Sequence, residues 1–403
     1  MAAAGGARSD HGTDSGLAQR SPLSSPSRQC HAMLMLQTGL RENITGPAGS
    51  WAWGAAPDGI EMPSLGFYTI GITALLAGPA VGVGTAPAIE VLASVRAVPP
   101  DVAAGLAEPA GFVQVAVGQY VVFDRRGHTL LSLTPDWSVA QPIVQIGFEP
   151  GRLLQPFGFD VDPDGRLVVG DAPQGVERIQ VFTGSGSRVA GFSLPRRPGP
   201  RLDVDGVVLN GISSLRASAR QTVLVNQPNT GALVTEYDYD GTPLRSFGIL
   251  RATGHESDSQ LHWALNRGIA LAVPGGGFIF LFQTGEPRFR RYDASGRLLF
   301  ERVIQGPELD DWLQKQPDVW AARGARDAGT LPLVSLAVRA AAVDRAGDLW
   351  VSLAVPYTYV FDARGEKRRT VQFKGAGIIA PRSLAFTSDR RLLVTPGCYE
   401  FAP

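Results

Sequence analysis

An aromatic residue, usually followed by aspartate, recurs a few residues before a glycine along this chain. Clear copies are Tyr239-Asp240-Gly241, Tyr292-Asp293-Ala294-Ser295-Gly296 and Phe361-Asp362-Ala363-Arg364-Gly365, and Phe182-Thr183-Gly184-Ser185-Gly186 is a looser one. Each copy lies between two short apolar runs, which is the pattern of a strand, a tight turn and a second strand. Three of the glycines are spaced about 55 residues apart, and such a period indicates a propeller or a solenoid.

The best-formed repeat extends from about Val144 to Leu194. Within it Phe157, Phe159 and Val161 alternate with other residues, and a turn at Asp162-Pro163-Asp164-Gly165 precedes the next apolar run. The phrases PFGFDVDPDGRLVVGD and RIQVF resemble the NHL repeat, a family of β-propeller blades. The resemblance extends in weaker form over most of residues 108–402, and it implies a propeller fold.

Counting strands predicts an all-β chain that forms a six-bladed β-propeller with four antiparallel strands in each blade. The predicted innermost strands are Phe112–Val117, Phe157–Val161, Ile212–Leu215, Ile269–Val273, Ala340–Val343 and Ser383–Phe386. The sixth blade lacks an outer strand, and the isolated apolar run Ile89–Val95 is predicted to complete it and close the ring. An open solenoid is the alternative, and it would need polar caps at both ends.

The chain before this strand divides into two segments. Residues 1–61 are rich in Ala, Gly, Ser and Pro and are predicted to be a disordered extension, or to precede the true start at Met62. Residues 62–88 are interpreted as a signal peptide or membrane anchor, because Leu65–Ile89 carries no charge and Ala88 follows a small-x-small pattern. A basic region before the apolar run is missing, so an uncleaved anchor and a buried element stay open. The expected location is periplasmic or extracellular, with membrane attachment only through residues 65–89.

Composition excludes some functions. The chain has 37 basic and 37 acidic residues, and this balance argues against a nucleic-acid partner. The basic residues are almost all arginine, a bias typical of a GC-rich, bacterial genome. Cys30 and Cys398 are the two cysteines, and their positions do not predict a structural disulfide. Residues 89–403 are therefore expected to be stabilised by packing.

Long insertions are predicted on one face of the propeller. They run over residues 195–210, 248–267 and 305–334, each between an outer strand and the next inner strand. Insertions that share a face usually mark the binding face. The third insertion contains Pro307–Leu313, which is predicted to be a short helix with acidic residues in its first turn, and the insertion is interpreted as a lid over the channel.

Candidate ligand-binding residues follow from these insertions and from the starts of the inner strands. Three tryptophans in the loops are candidates for stacking on a sugar or gripping a peptide, with pinning of the loops as the alternative role: Trp263, Trp312 and Trp320. Residues expected at the channel mouth are Gln155, Asn210, Asn266, Arg267, Arg339 and Arg382. The three arginines suit a carboxylate or phosphate, and solvated or ion-paired arginine is the alternative.

Catalytic and metal signatures are weak. The sequence has no nucleophile elbow, P-loop or dinucleotide motif, so no catalytic residue and no metal ligand is predicted. His255, Glu256, Asp258 and His262 lie in one loop without matching a zinc spacing. Leu106-Ala107-Glu108-Pro109 is faintly similar to the first acidic ligand of six-bladed lactonases of the gluconolactonase and paraoxonase type. That resemblance implies calcium as a possible cofactor, with Asn210 or Asn266 as further ligands.

Three functions remain open. The first is a non-enzymatic exported propeller that binds a small ligand, a glycan, a peptide or a protein on its long-loop face. The alternative is a divalent-metal-dependent lactonase or hydrolase. The third is a structural or sensor domain whose ligand is another subunit. The lack of a convincing set of catalytic ligands favours binding over catalysis.

Overall fold

A computed structural model describes residues 89–194, 201–204, 207–210, 214–316 and 334–403, and for residues 201–204 and 207–210 it describes the backbone alone. The predicted extension 1–61 and the predicted signal or anchor 62–88 lie outside these residues. Within the described ranges, no helix is both long and apolar enough to cross a membrane. The fold is all-β and propeller-like, with short helices in the connections.

The chain begins with β1 (Glu90–Ala97) and α1 (Pro100–Ala104), and then forms antiparallel four-stranded sheets. Sheet 1 comprises β2 (Pro109–Ala116), β3 (Gln119–Asp124), β4 (Thr129–Leu133) and β5 (Ala140–Val144). Sheet 2 comprises β6 (Pro156–Val161), β7 (Leu167–Asp171), β8 (Arg178–Phe182) and β9 (Arg188–Ser193). A separate hairpin follows, β10 (Arg201–Val204) with β11 (Val207–Asn210), where the sequence was expected to form only a loop.

Sheets 3 and 4 repeat the same order. Sheet 3 comprises β12 (Ser214–Ala217), β13 (Thr222–Asn226), β14 (Ala232–Asp238) and β15 (Pro243–Ile249). The helix α2 (Ser259–Leu265) precedes sheet 4, which comprises β16 (Gly268–Ala272), β17 (Phe278–Phe282), β18 (Arg288–Tyr292) and β19 (Leu298–Val303). The helix α3 (Pro307–Gln314) follows, and it confirms the helix predicted at Pro307–Leu313.

The remaining strands form one nine-stranded sheet, called the closing sheet. Its strands are β20 (Val338–Val343), β21 (Leu349–Leu353), β22 (Thr358–Phe361), β23 (Lys367–Lys374), β24 (Ile378–Ile379), β25 (Ser383–Phe386), β26 (Leu392–Thr395), β27 (Tyr399–Phe401) and β1. The predicted pairing of the N-terminal strand with the last strands is present, because β1 pairs antiparallel with β27 over Ser94–Ala97. The first half of β1 also pairs in parallel with β23, which the sequence did not predict.

The first strands of the repeats contact one another around a closed circle. β2 contacts β6, and the circle continues through β12, β16, β20 and β25 back to β2. The apolar core lies in layers between neighbouring sheets. One such layer joins Val168 and Ile179 of sheet 2 to Val223 of sheet 3, and another joins Leu224 of sheet 3 to Phe278 of sheet 4. Neighbouring sheets therefore pack face to face around a central axis, as in a propeller.

The recurrent turns have a common chemistry at the ends of these strands. In the turn between β18 and β19, the Asp293 carboxylate accepts hydrogen bonds from the backbone of Ser295 and Arg297, and Gly296 adopts a φ of 86°. The pKa of Asp293 is lowered to about 2, and the hydrogen bond from the Ser295 side chain contributes most to this shift. The turn in sheet 3 shows a shift of two residues from the predicted motif, because Asp238 caps it and Asp240 does not.

Candidate functional site

A central cavity of about 210 Å³ lies at the axis of the circle of inner strands. Every inner strand, or the residue just before it, contributes to its lining. The charged residues that line it are five arginines and one carboxylate: Arg125, Arg216, Arg267, Arg339, Arg382 and Asp160. Phenylalanines of β2 and β6 form part of the apolar wall. The cavity therefore combines an apolar wall with an excess of positive charge.

Arg216 crosses the cavity at depth, since it is the third residue of β12. Its Nη1 lies 3.4 Å from Oδ1 of Asp160 on β6, and its Nη2 lies 3.4 Å from the carbonyl oxygen of Ala341 on β20. Oδ2 of Asp160 accepts a hydrogen bond of 2.8 Å from the backbone N–H of Ala217. Burial raises the pKa of Asp160, against the opposing charge of Arg216. The only carboxylate that lines the described cavity is thus already engaged by the protein.

Three arginines lie where the inner strands begin. Arg267 precedes β16, Arg339 is the second residue of β20, and Arg382 precedes β25. Nε of Arg267 lies 3.3 Å from Oε1 of Gln283, and Nη2 of Arg339 lies 3.4 Å from the carbonyl oxygen of Ala354. Nε of Arg339 is buried and has no hydrogen-bond partner among the described residues. Arg382 is 58% exposed and reaches toward Glu108 at 3.9 Å.

Glu108 is held against arginine. Its carboxylate accepts hydrogen bonds from Nε of Arg125 at 3.2 Å and from Nη2 of the same side chain. Asp124 accepts hydrogen bonds from the backbone N–H groups of Ala107 and Glu108 and so fixes this segment beside β3. Glu108 therefore neutralises part of the charge at the mouth of the cavity, and its two oxygens face guanidinium groups.

The predicted mouth residues separate into two groups. Arg267, Arg339 and Arg382 line the same cavity, as the position before or early in an inner strand suggested. Asn266 does not line it. Its amide is fully used, because Oδ1 accepts from the backbone N–H of Arg251 and Nδ2 donates to the carbonyl oxygens of Arg251 and His262. Asn210 ends β11 and pairs with Arg201 of β10, and its side chain is outside the description.

The predicted tryptophans are also not brought to the cavity. Trp312 packs beside Leu309 against the apolar cluster between sheet 4 and β20–β22, and Trp263 is half-buried on α2. Neither lines the cavity. Trp320 lies outside the described residues. The described part of the predicted lid, α3, is fixed to the outer strands, because the hydroxyl of Tyr359 donates a 2.6 Å hydrogen bond to Glu308.

The possible metal ligands do not assemble within the described residues. No group of three or more His, Cys, Asp and Glu side chains could hold an ion there. Nδ1 of His262 lies 2.8 Å from Oγ1 of Thr253 and 3.9 Å from Glu256, so this loop forms a local hydrogen-bond cluster. For the calcium set implied by the lactonase resemblance, Glu108 is bound to Arg125 and Asn266 to Arg251. The guanidinium of Arg125 beside the Glu108 carboxylate disfavours a cation there, and the Asn266 oxygen already accepts from the backbone N–H of Arg251.

Several lining residues were missed by the sequence analysis. Arg125 follows β3, and the chain order alone does not show that this turn reaches the cavity. Arg216 and Asp160 lie deeper on β12 and β6, in an alternating strand where a shift of one residue would turn them to the other face. A usable signal was the polar position inside an otherwise apolar inner strand, which Asp160 and Arg216 share.

Comparison with known proteins was made for families, curated proteins and solved structures. No protein-family model matches this sequence, and no curated protein matches it either. Among solved structures, the chain is similar to a streptogramin B lyase at 11% identity and a TM-score of 0.44, covering 73% of this chain and 93% of that one. It is similar to hydrazine synthase of Kuenenia stuttgartiensis at 14% identity and a TM-score of 0.42, covering 72% and 93%.

A third similar structure is the WD40 β-propeller domain of Doa1, at 11% identity and a TM-score of 0.41, covering 73% of this chain and 92% of that one. Likeness at this level assigns neither a family nor an activity. The functional argument therefore rests on the cavity itself.

Proposed function

We propose that this protein is an exported, NHL-like six-bladed propeller that acts as a binding scaffold and holds an anionic group of its ligand in the central cavity. The observation that carries the proposal is the convergence of five arginines on a cavity lined by one carboxylate. Guanidinium groups bind carboxylate and phosphate through paired N–H donors, and they do so best where water is partly excluded. The activity is binding, and no catalytic residue is assigned.

The blade number rests on the circle of inner strands. Sheets 1 to 4 account for four blades, and the strands β20–β23 pair in the same order as the strands of each of those sheets and form a fifth. The strands β25, β26 and β27 with the second half of β1 supply a sixth. On this interpretation the closing sheet is two blades, joined because β1 pairs with both of them.

The ligand is proposed to enter from the long-loop face. Arg267, Arg339 and Arg382 lie at the beginnings of inner strands, which is the end where the long connections arrive. At the deeper end Arg216 reaches across to both Asp160 and Ala341 and narrows the passage. A volume of about 210 Å³ suits a small acid or a single charged group of a glycan or peptide, such as a C-terminal carboxylate.

The test is titration of the purified protein with citrate, inorganic phosphate and a short peptide bearing a free C-terminal carboxylate. We expect at least one of them to bind, and the double variant R339Q/R382Q to weaken that binding by about tenfold or more, since a hydrogen bond to a charged group contributes about 1.5–3 kcal/mol. R297Q is the matched control, because Arg297 is exposed in a turn and pairs with Asp293. Calorimetry measures the affinities.

The proposal is wrong if none of the three anions binds the wild-type protein, or if R339Q/R382Q and R297Q bind equally well. Thermal denaturation with and without calcium chloride examines the lactonase alternative. A rise in melting temperature with calcium would favour that alternative. Export is proposed from the uncharged run Leu65–Ile89 alone, and a mature protein that begins at Ile89 would be its mass-spectrometric signature.

A further inference from the structure

A second cavity lies at the opposite ends of the strands, between the two halves of the closing sheet. It has a volume of about 480 Å³, and we call it the seam groove. Its lining includes the turn between β20 and β21, the start of β23, the turn between β25 and β26, and Pro403. Its charged residues and tryptophan are Asp344, Arg345, Asp348, Trp350, Arg368, Arg369 and Arg390. Because the inner strands begin at the central cavity and end here, the two cavities are on different faces.

The groove exists because of how the last strands are connected. In other repeats, the glycine of the turn before the outer strand lies against the preceding sheet: a Cβ on Gly241 would lie 2.5 Å from Phe192, and one on Gly365 would lie 2.9 Å from Phe300. The residue of β23 that corresponds to Phe300 is Arg369, since each pairs with the residue just before the aromatic that ends the neighbouring strand. The neighbour of β27 is β1, which is no hairpin partner, so no such turn covers Arg369.

Arg369 has hydrogen-bond donors that the protein does not satisfy. Its guanidinium lies 4.9 Å from the ring centroid of Trp350, and its Nε lies 3.4 Å from Oε2 of Glu90. Both Nε and Nη2 are buried and have no hydrogen-bond partner among the described residues. Buried donors without acceptors are unfavourable and rare, and they commonly mark the place of a water or an ion. An anion in the groove would supply the missing acceptor.

The other arginines of the groove add positive charge. Arg345 and Arg390 are exposed, and within the described part of the chain neither side chain makes a hydrogen bond or an ion pair with another residue. Arg368 also lines the groove and pairs with Asp362.

The acids of the groove differ in their partners, and the carboxylate of Asp344 is engaged by its own turn. Oδ1 of Asp344 accepts from the backbone N–H groups of Ala346 and Asp348, and its Oδ2 accepts from Nε1 of Trp350. Burial, together with the charge of Asp344, raises the pKa of Asp348. Asp344 is thus engaged within its own turn, whereas the charge of Asp348 acts on Arg368 and Arg369 and offsets part of the positive charge of the groove.

We infer that the seam groove is an oxyanion-binding site, in which a phosphate or carboxylate group lies between Arg369, Arg345 and Arg390. This inference is independent of the proposed function, since it concerns another face and other residues. The guanidinium of Arg369 also pairs with Glu90 of β1. A bound anion would therefore compete with that carboxylate, and occupancy of the groove would be linked to the strand that closes the sheet.

The experiment uses the full chain in the R339Q/R382Q background, so that the contribution of the central cavity is reduced. Inorganic phosphate and acetate are titrated separately at constant ionic strength, which distinguishes a phosphate site from a carboxylate site. We expect one of the two anions to bind and to raise the melting temperature. Adding R345Q/R390Q, two exposed positions whose loss should not disturb the fold, is expected to weaken binding by about tenfold or more.

Adding R369Q instead is expected to abolish binding. R297Q in the same background is the matched control and should bind as the background does. The inference is overturned if neither anion binds in the R339Q/R382Q background, or if R345Q/R390Q leaves the affinity unchanged. Neither result bears on the central cavity, whose own test compares the wild-type protein with R339Q/R382Q.

Discussion

The repeated glycine of the turns serves two physical purposes at the scale of single residues. It accepts a positive φ, and its missing Cβ lets the turn lie against the neighbouring sheet. The sequence predicted the first purpose, because a glycine at the end of a tight turn needs it. It did not predict the second, because the contact joins residues of different repeats. The motif at Tyr239-Asp240 was displaced by two residues from the capping Asp238. A contact between repeats is again involved, since Tyr239 donates a hydrogen bond to Asp162 of sheet 2.

Two glycines with the same backbone conformation separate these purposes. Gly241 and Gly347 both adopt a φ of 90°, but a Cβ on Gly241 would lie 2.5 Å from Phe192, whereas one on Gly347 would meet nothing within 4 Å. We expect G347A to lower the free energy of unfolding by about 1 kcal/mol from backbone strain. G241A should lower it by about 1–3 kcal/mol more, because the added methyl group overlaps the Phe192 side chain.

Urea denaturation of both variants measures the difference. Equal losses of stability in G241A and G347A would mean that the turn is not closely packed against sheet 2.

At the scale of elements, strands were predicted more accurately than helices and loop structure. Among the innermost strands, β25 has the predicted bounds and β6 begins one residue earlier than predicted, since apolar alternation and turn residues mark their ends. The helix α2 and the hairpin β10–β11 lie in segments that were predicted to be loops. The amide of Asn266 illustrates the consequence: it caps α2 and binds Arg251, and without that helix it looked like a free ligand. Trp312 packs against a cluster whose members are mostly distant in sequence, and this contact could not be predicted from the loop alone.

The attachment of α3 predicts a pH dependence. Glu308 is partly buried; although burial alone would raise its pKa, the hydrogen bond from Tyr359 and the charge of Lys367 lower it below 4.5. A carboxyl group with a lowered pKa in the folded state stabilises the protein above its ordinary pKa. This stabilisation is lost as the pH falls through the lowered value. We therefore expect the melting temperature of the wild type to fall more steeply below pH 4.5 than that of E308Q.

E308Q should also be less stable than the wild type at pH 7, by about 1–2 kcal/mol. E366Q is the matched control, because Glu366 is 70% exposed and its contact with Arg302 is long, at 3.8 Å. This variant should melt as the wild type does. Scanning calorimetry between pH 3 and pH 7 measures all three proteins. Parallel curves for the wild type and E308Q would contradict the role of this carboxylate.

The whole molecule depends on β1. Its pairing with the last strands was predicted from the strand count, since the last repeat lacked an outer strand and the N-terminal region contained an isolated strand. Its parallel pairing with β23 did not follow, and its cause is length. β27 has three residues, while β1 has eight, so the first half of β1 finds its partner in β23. Three of the five arginines of the central cavity were predictable on this scale, because the start of each inner strand must face the axis.

Removal of β1 tests its contribution. A chain that begins at residue 98 should leave the edges of β23 and β27 unpaired, and Phe373 and Phe401 would lose Leu92 from their shared cluster. We expect a large fall in melting temperature and a tendency to aggregate through the exposed edges. A chain that begins at residue 89 is the control and should melt as the full-length protein does. Equal melting temperatures for the two truncated chains would show that β1 adds no stability.

The pairing of β1 with β27 also determines how long β1 stays unpaired while the chain is being synthesised. Ser94 is paired with Phe401, so β1, the first described strand to be synthesised, pairs with β27, the last described strand. At about 5–20 residues per second, the roughly 300 intervening residues take about 15–60 s to emerge from a ribosome. During that interval β1 has no native partner, since β23 also comes late. A chaperone or an export apparatus that binds the nascent chain over that time must shield the unpaired backbone of this eight-residue strand.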